Sequence, residues 1–249
     1  MKGMIYRELY LARKNYIVGG IAVVLFILLG VLIRLSLVYG NLAELEEDAF
    51  EFVDLASYYA FSYLPLVLLG IACSSNGGVI LSDYRSKWCL YSYTLPMKEQ
   101  DQAMVKFVIK VGSLLLIFLL GIGNLALFAG LSGRSIESGS MQLLLIVTML
   151  VGVISAAATP MTIRYKSANA VIIRIVIVVI IVWSGLMFRM TLLVTEFINL
   201  NSDDAVDLLF EKIIEFRDVL AMLAPILLLL ALLLGYLATV RQLKKREIM

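Results

Sequence analysis

Histidine is absent from this 249-residue chain. Imidazole is the usual acid–base group near neutral pH and the commonest metal ligand, so His-based catalysis and His-ligated metal sites are excluded. Cysteine is scarce. Cys73 and Cys89 are the two present; they form no CxxC, and on the cytoplasmic side where both are placed below a disulfide is not expected. Neither GxGxxG nor GxxxxGK[ST] occurs, so the chain shows no recognisable nucleotide cradle of its own. Charge is thin as well. Asp, Glu, Lys and Arg make up 16% of the residues, against about 25% in a soluble domain. No pair of carboxylates lies deep within an apolar run. That disfavours a membrane enzyme, and also a proton-coupled carrier, which ordinarily holds an ionisable group inside the membrane.

Apolar residues fill the chain instead, at 61%. A bilayer-spanning helix needs about 20 mostly apolar residues, because the hydrocarbon core is about 30 Å thick and each residue rises about 1.5 Å. Six segments meet that test: 17–39, 58–81, 105–131, 141–163, 170–193 and 219–240. They are too long for strands and do not alternate. Lipid offers the backbone no hydrogen bonds, so the expected fold is an all-α integral membrane protein with one domain over 1–249. The second segment is the weakest, since it ends in Cys73, Ser74, Ser75, Asn76, Gly77 and Gly78. The two glycines either let that span bend or mark its fraying end. Pro65, Pro160 and Pro225 each remove a backbone donor and can kink a span.

The basic residues set the orientation. With the N-terminus in the cytoplasm, 16 of the 21 Lys and Arg lie on the inner side, and only Arg34, Arg134, Arg189, Lys212 and Arg217 on the outer. This is a positive-inside bias, and it places both termini and the 82–104 segment in the cytoplasm. The basic flanks are read as topology and not as a lipid-specific site, and a net charge of +2 says nothing of nucleic acid. The first span follows charged residues and precedes no small-residue cleavage site, so it is read as a retained anchor. Arg34, Lys110, Arg174 and Arg189 fall near span ends, where long side chains extend to the interface. Asn124 is the isolated polar group at mid-span, and is expected to bond a neighbouring helix.

Two segments outside the spans show helical periodicity. Met1, Met4, Ile5, Leu9 and Ala12 form an apolar stripe over 1–16, which suits a helix lying in the cytoplasmic interface. In the outer loop 194–218, Val206, Leu209, Phe210, Ile213 and Ile214 share one face, with Ser202 or Asp203 as a cap. The outer loops are acidic. They either attract cationic solutes or simply tolerate acids, since Lys and Arg dominate topology.

The segment between the second and third spans is the most distinctive. Asp83, Arg85, Lys87, Trp88, Leu90 and Tyr91 precede Leu95-Pro96, and Lys98, Glu99, Asp101 and Lys106 lead into the third span. This arrangement resembles the first cytoplasmic loop of ABC transporter permeases of the second exporter type. There an acidic residue, a basic one, an aromatic-aliphatic stretch, a Leu-Pro pair and a Lys occur in that order. Six spans, inside termini, the interfacial N-terminal helix and the helix before the last span are similar as well, so the resemblance covers most of the chain. Asp83, where Glu is more usual, and Cys89 depart from the pattern.

The resemblance implies a short coupling helix in this loop that fits a groove on a separate ATP-hydrolysing subunit. Trp88, Leu90 and Tyr91 are then its anchors and Asp83, Arg85 and Lys87 its rim, in keeping with aromatic and Arg residues dominating interfaces. Read without the resemblance, Trp88 and Tyr91 belong to an interfacial aromatic belt. The resemblance further implies that this chain binds no cofactor, with ATP and Mg on the partner. It also implies a working pair of permeases, expected to be a homodimer. Spans two and five flank the cavity between them, with Ser74, Ser75 and Asn76 lining it. The length and the short acidic outer loops look most like permeases of Gram-positive peptide exporters, including those that export phenol-soluble modulins. The expected role is export of amphipathic or antimicrobial peptides across a bacterial plasma membrane. Export of drugs or lipids is one alternative, and a sensor or scaffold that moves no solute is another.

Overall fold

In the computed structural model the described residues are 2–40, 47–74, 98–133, 135–165 and 202–246. They form α1 (Lys2–Tyr39), α2 (Glu47–Ser74), α3 (Glu99–Ser132), α4 (Ser138–Tyr165) and α5 (Ser202–Arg246). There is no strand among the described residues. All five helices contain a stretch long and apolar enough to cross a membrane. The span expected over 170–193 lies outside the described residues.

Helix boundaries follow local chemistry where it is visible. Lys98 is extended, and Glu99 and Asp101 occupy the first turn of α3, where carboxylates oppose the positive end of the helix dipole. The helix therefore begins six residues before the span expected from 105. Its other end is set by Gly133 at φ 62°, whose N–H closes onto the carbonyls of Ala129 and Gly130. Only glycine takes this left-handed cap without a steric penalty. Five residues later α4 begins.

The two segments expected to lie outside the spans are joined to them. α1 runs 38 residues without a break, about 57 Å, and α5 runs 45, about 68 Å. Nothing between residues 16 and 17 interrupts the helical ladder, and Ala12 and Glu8 are buried against the bundle. Residues 2–16 are thus the first four turns of α1 and not a separate helix. Likewise the residues before the sixth expected span are continuous with it, and Pro225 lies inside α5 without ending it.

Contacts fix the directions. Arg34 meets Asp54 and Gly30 meets Phe61, so α1 and α2 are antiparallel. Phe61 stacks on Phe128 and Leu66 reaches Gly121, so α2 and α3 are antiparallel. Leu114 faces Gly152 and Lys110 reaches Ser155, so α3 and α4 are antiparallel too. α4 and α5 run parallel: Gly139 faces Arg217, Gly152 faces Leu228 and Ala156 faces Gly235, while Ile163 clusters with Leu243. The apolar core sits among α2, α3, α4 and α5, around Leu66, Ile117, Leu125, Leu144 and Val151.

Candidate functional site

The helix directions bring Lys2, the C-terminal end of α2, Lys98, Tyr165 and Arg246 to one end of the bundle. That end collects most of the basic residues of the described helices, and we call it the basic end. Arg34, Lys212 and Arg217 belong to the other, the far end.

One ionic contact at each end ties α1 to its neighbours. At the basic end Lys106 Nζ donates to Glu8 Oε1 at 2.7 Å. At the far end Arg34 pairs with Asp54 and donates to Ser132 Oγ, whose hydroxyl donates to the Phe128 carbonyl. Glu8 to Lys106 and Arg34 to Ser132 both join residues 98 apart. α1 and α3 therefore run parallel in one constant register over the 26 residues between the contacts, about 39 Å. Residues 15–33 of α1 carry no charge, and neither do their counterparts 113–131 of α3. That slab is about 28 Å deep, close to the hydrocarbon core of a bilayer.

Arg34 and Lys110 were expected to extend outward from span ends. Both are turned inward, at 4% and 6% exposure. A buried cation needs a compensating partner, and each has one: the Asp54 carboxylate for Arg34, and the Ser155 carbonyl, 2.5 Å away, for Lys110 Nζ. Lys110 lines a small, partly open cleft between α3, α4 and α5, together with Lys106, Thr159, Tyr236 and Thr239. Its floor is close-packed, because a Cβ on Gly235 would stand 2.8 Å from the Ala156 carbonyl. The Phe107 and Tyr236 rings, both in the lining of the cleft, meet edge to face with centroids 5.8 Å apart.

Asn124 bonds a neighbouring helix, as its isolation at mid-span suggested. Its Nδ2 donates to the carbonyls of Phe61 and Ser62, both at 2.9 Å. Nearby, Tyr63 Oη donates to the Ser140 carbonyl at 2.8 Å, tying α2 to the first turn of α4.

Asp83, Arg85, Lys87, Trp88, Leu90 and Tyr91 lie outside the described residues, and so do Ser75 and Asn76. Ser74 is the last residue of α2. The described flanks of this segment, the end of α2 and Lys98, lie at the basic end. Sequence reasoning missed the roles of Glu8 and Tyr236. Glu8 carried a signal, being the single acid among Lys2, Arg7, Arg13 and Lys14; Tyr236 carried none within a leucine-rich run.

Comparison with protein-family models, with curated proteins and with solved structures finds no match to this chain.

Proposed function

We propose that the chain is the transmembrane permease subunit of an ATP-driven exporter of the second ABC exporter type, energised by a separate ATPase. The observation that carries this reading is the shared end of the bundle. The polar 75–97 segment is flanked by helix ends at the same end as the basic residues of α1, α3, α4 and α5. By the positive-inside rule that end faces the cytoplasm, where a soluble ATPase is available to a coupling helix.

Six spans follow in this reading. α4 and α5 run parallel, so the chain leaves α4 at the basic end and enters α5 at the far end. An odd number of crossings between Tyr165 and Ser202 accounts for that, and the apolar stretch 170–193 has the length for one. The exposed leucines of α1 and α5 suit lipid or a second permease. Trp88, Leu90 and Tyr91 anchor the ATPase, and Asp83, Arg85 and Lys87 form the rim. ATP-driven approach of two such subunits swings the paired permeases and alternates access to a cavity beside Ser74, Ser75 and Asn76. An amphipathic peptide partitions into that cavity from the membrane.

The test is co-purification with a candidate ATPase and measurement of peptide-stimulated ATP hydrolysis. Joint substitution Trp88→Ala and Tyr91→Ala is expected to abolish association while leaving the permease inserted. Unchanged association would remove the coupling assignment.

A further inference from the structure

The cleft at Lys110 has chemistry that neither the helix packing nor the coupling role uses. Lysine has three N–H donors, and the bond to the Ser155 carbonyl occupies one. Among the described residues no acidic side chain lines the cleft, whereas a second lysine, a tyrosine and two threonines do. Lys106 is held at the rim by Glu8, so its ammonium is kept in place. Thr239 Oγ1 donates to the Gly235 carbonyl, so among the described residues Lys110, Thr159 and Tyr236 are the cleft groups with donors to offer an anion.

Depth supports the same reading. By the constant α1–α3 register, Lys110 stands level with Ala12, three residues beyond the uncharged slab that begins at residue 15. This is about 5 Å outside the hydrocarbon, in the layer where headgroup phosphates lie. The site sits beside a backbone defect as well: Pro160 has no N–H, so the Ala156 carbonyl lacks its helical donor. The wall of the cleft is polar on one side and apolar at Phe107 and Leu232. A phosphate ester with an attached chain presents both characters.

We propose that this cleft binds a phosphate-type oxyanion, held by Lys110 with Thr159 and Tyr236 and steered by Lys106. The group comes from an anionic lipid headgroup or from free phosphate. The proposal rests on the membrane reading alone and needs neither an ATPase nor transport. Choline next to a phosphate is repelled by the two lysines, so zwitterionic lipid binds poorly.

The full chain in detergent is titrated with phosphatidylglycerol, with phosphatidylcholine, and with inorganic phosphate against chloride at equal ionic strength. Melting temperature and native mass spectrometry are the readouts. Saturating phosphatidylglycerol is expected to raise the melting temperature by about 5 °C and to bind at least about tenfold more tightly than phosphatidylcholine. Lys110→Gln is expected to lose roughly tenfold in affinity, while Lys98→Gln, exposed and outside the cleft, retains it. Stabilisation by inorganic phosphate that Lys110→Gln abolishes assigns the site to the free anion; an effect of the lipid alone assigns it to the headgroup. Should Lys110→Gln not fold, Tyr236→Phe decides, because it removes only the hydroxyl and keeps the ring on Phe107. The proposal is overturned if phosphatidylglycerol binds no better than phosphatidylcholine and phosphate no better than chloride. Full affinity in a folded Lys110→Gln, or failing that in Tyr236→Phe, overturns it too.

Discussion

The side-chain amide of Asn124 donates to the carbonyl of Phe61, the one carbonyl in α2 that Pro65 deprives of its helical donor. A helical carbonyl accepts from the N–H four residues on, and the residue four on from Phe61 is the proline inside α2. In a bilayer no water replaces that donor. Asn124 supplies it from α3 and bonds the next carbonyl, Ser62, with the same nitrogen. A helix-interior proline and a mid-span polar residue, separate features in the sequence, are one device in the structure.

Asn124→Leu is therefore expected to destabilise the bundle by about 1 kcal/mol, a membrane-typical value for lost interhelical bonds. The cost stays modest because Asn124 Oδ1 is buried with no partner among the described residues, and leucine removes that acceptor. In a Pro65→Ala background the restored N–H serves Phe61, and the cost of Asn124→Leu should fall by at least half. Unfolding in bicelles across the double-mutant cycle measures the coupling. An equal cost in both backgrounds would contradict the link.

Arg34 and Asp54 predict a larger effect. Asp54→Leu leaves a guanidinium at 4% exposure without the carboxylate it pairs with, and loss of one partner of a buried pair costs about 3–5 kcal/mol. Arg34→Met together with Asp54→Leu removes both charges and should recover most of that stability, read as the midpoint of chemical unfolding. A double variant no more stable than Asp54→Leu would show that the pair itself is not what Asp54 serves.

Composition and hydropathy made the helical class legible, because apolar runs longer than the bilayer is thick admit little else. Mid-span isolation also pointed Asn124 at another helix. The length of α1 and α5 was not legible. An apolar stripe followed by a span looks the same whether the helix bends at the interface or continues, and the contact from Glu8 to Lys106 that decides it joins residues 98 apart. The cleft at Lys110 was hidden for a related reason: a lysine near a span end reads as solvated until α4 and α5 are seen to cover it. The segment around Trp88 lies outside the described residues, so its assignment still rests on sequence.

The α4–α5 interface turns on Gly235. A Cβ there meets the Ala156 carbonyl oxygen at 2.8 Å, and a backbone oxygen cannot swing aside as a side-chain tip does. Gly235→Ala should destabilise by about 1–3 kcal/mol through overpacking, despite alanine's better helix propensity. Gly123→Ala in α3 has no atom within 4 Å of its new Cβ and should be neutral or slightly stabilising. The sign difference, measured side by side in one detergent, separates packing from propensity.

Glu8 and Lys106 test whether the first turns of α1 stand on α3. Glu8→Lys places two ammonium groups 98 residues apart in sequence within reach of each other, at side-chain exposures of 10% and 17% in the native pair. Mostly buried but close to the end of the bundle, this contact falls between the surface and buried limits, so the single variant should lose about 2 kcal/mol. Charge reversal at both positions, Glu8→Lys with Lys106→Glu, should restore about half of that. The reading extends to topology, because Glu8 and the C-terminal turn of α5 share the basic end. With Cys73 and Cys89 replaced by Ser, single cysteines at Lys244→Cys and Lys212→Cys stand at opposite ends of α5. In intact cells a membrane-impermeant maleimide should label position 212 and spare position 244 until the membrane is opened. Labelling of 244 but not of 212 would invert the orientation and place the Trp88 segment on the side away from any cytoplasmic ATPase.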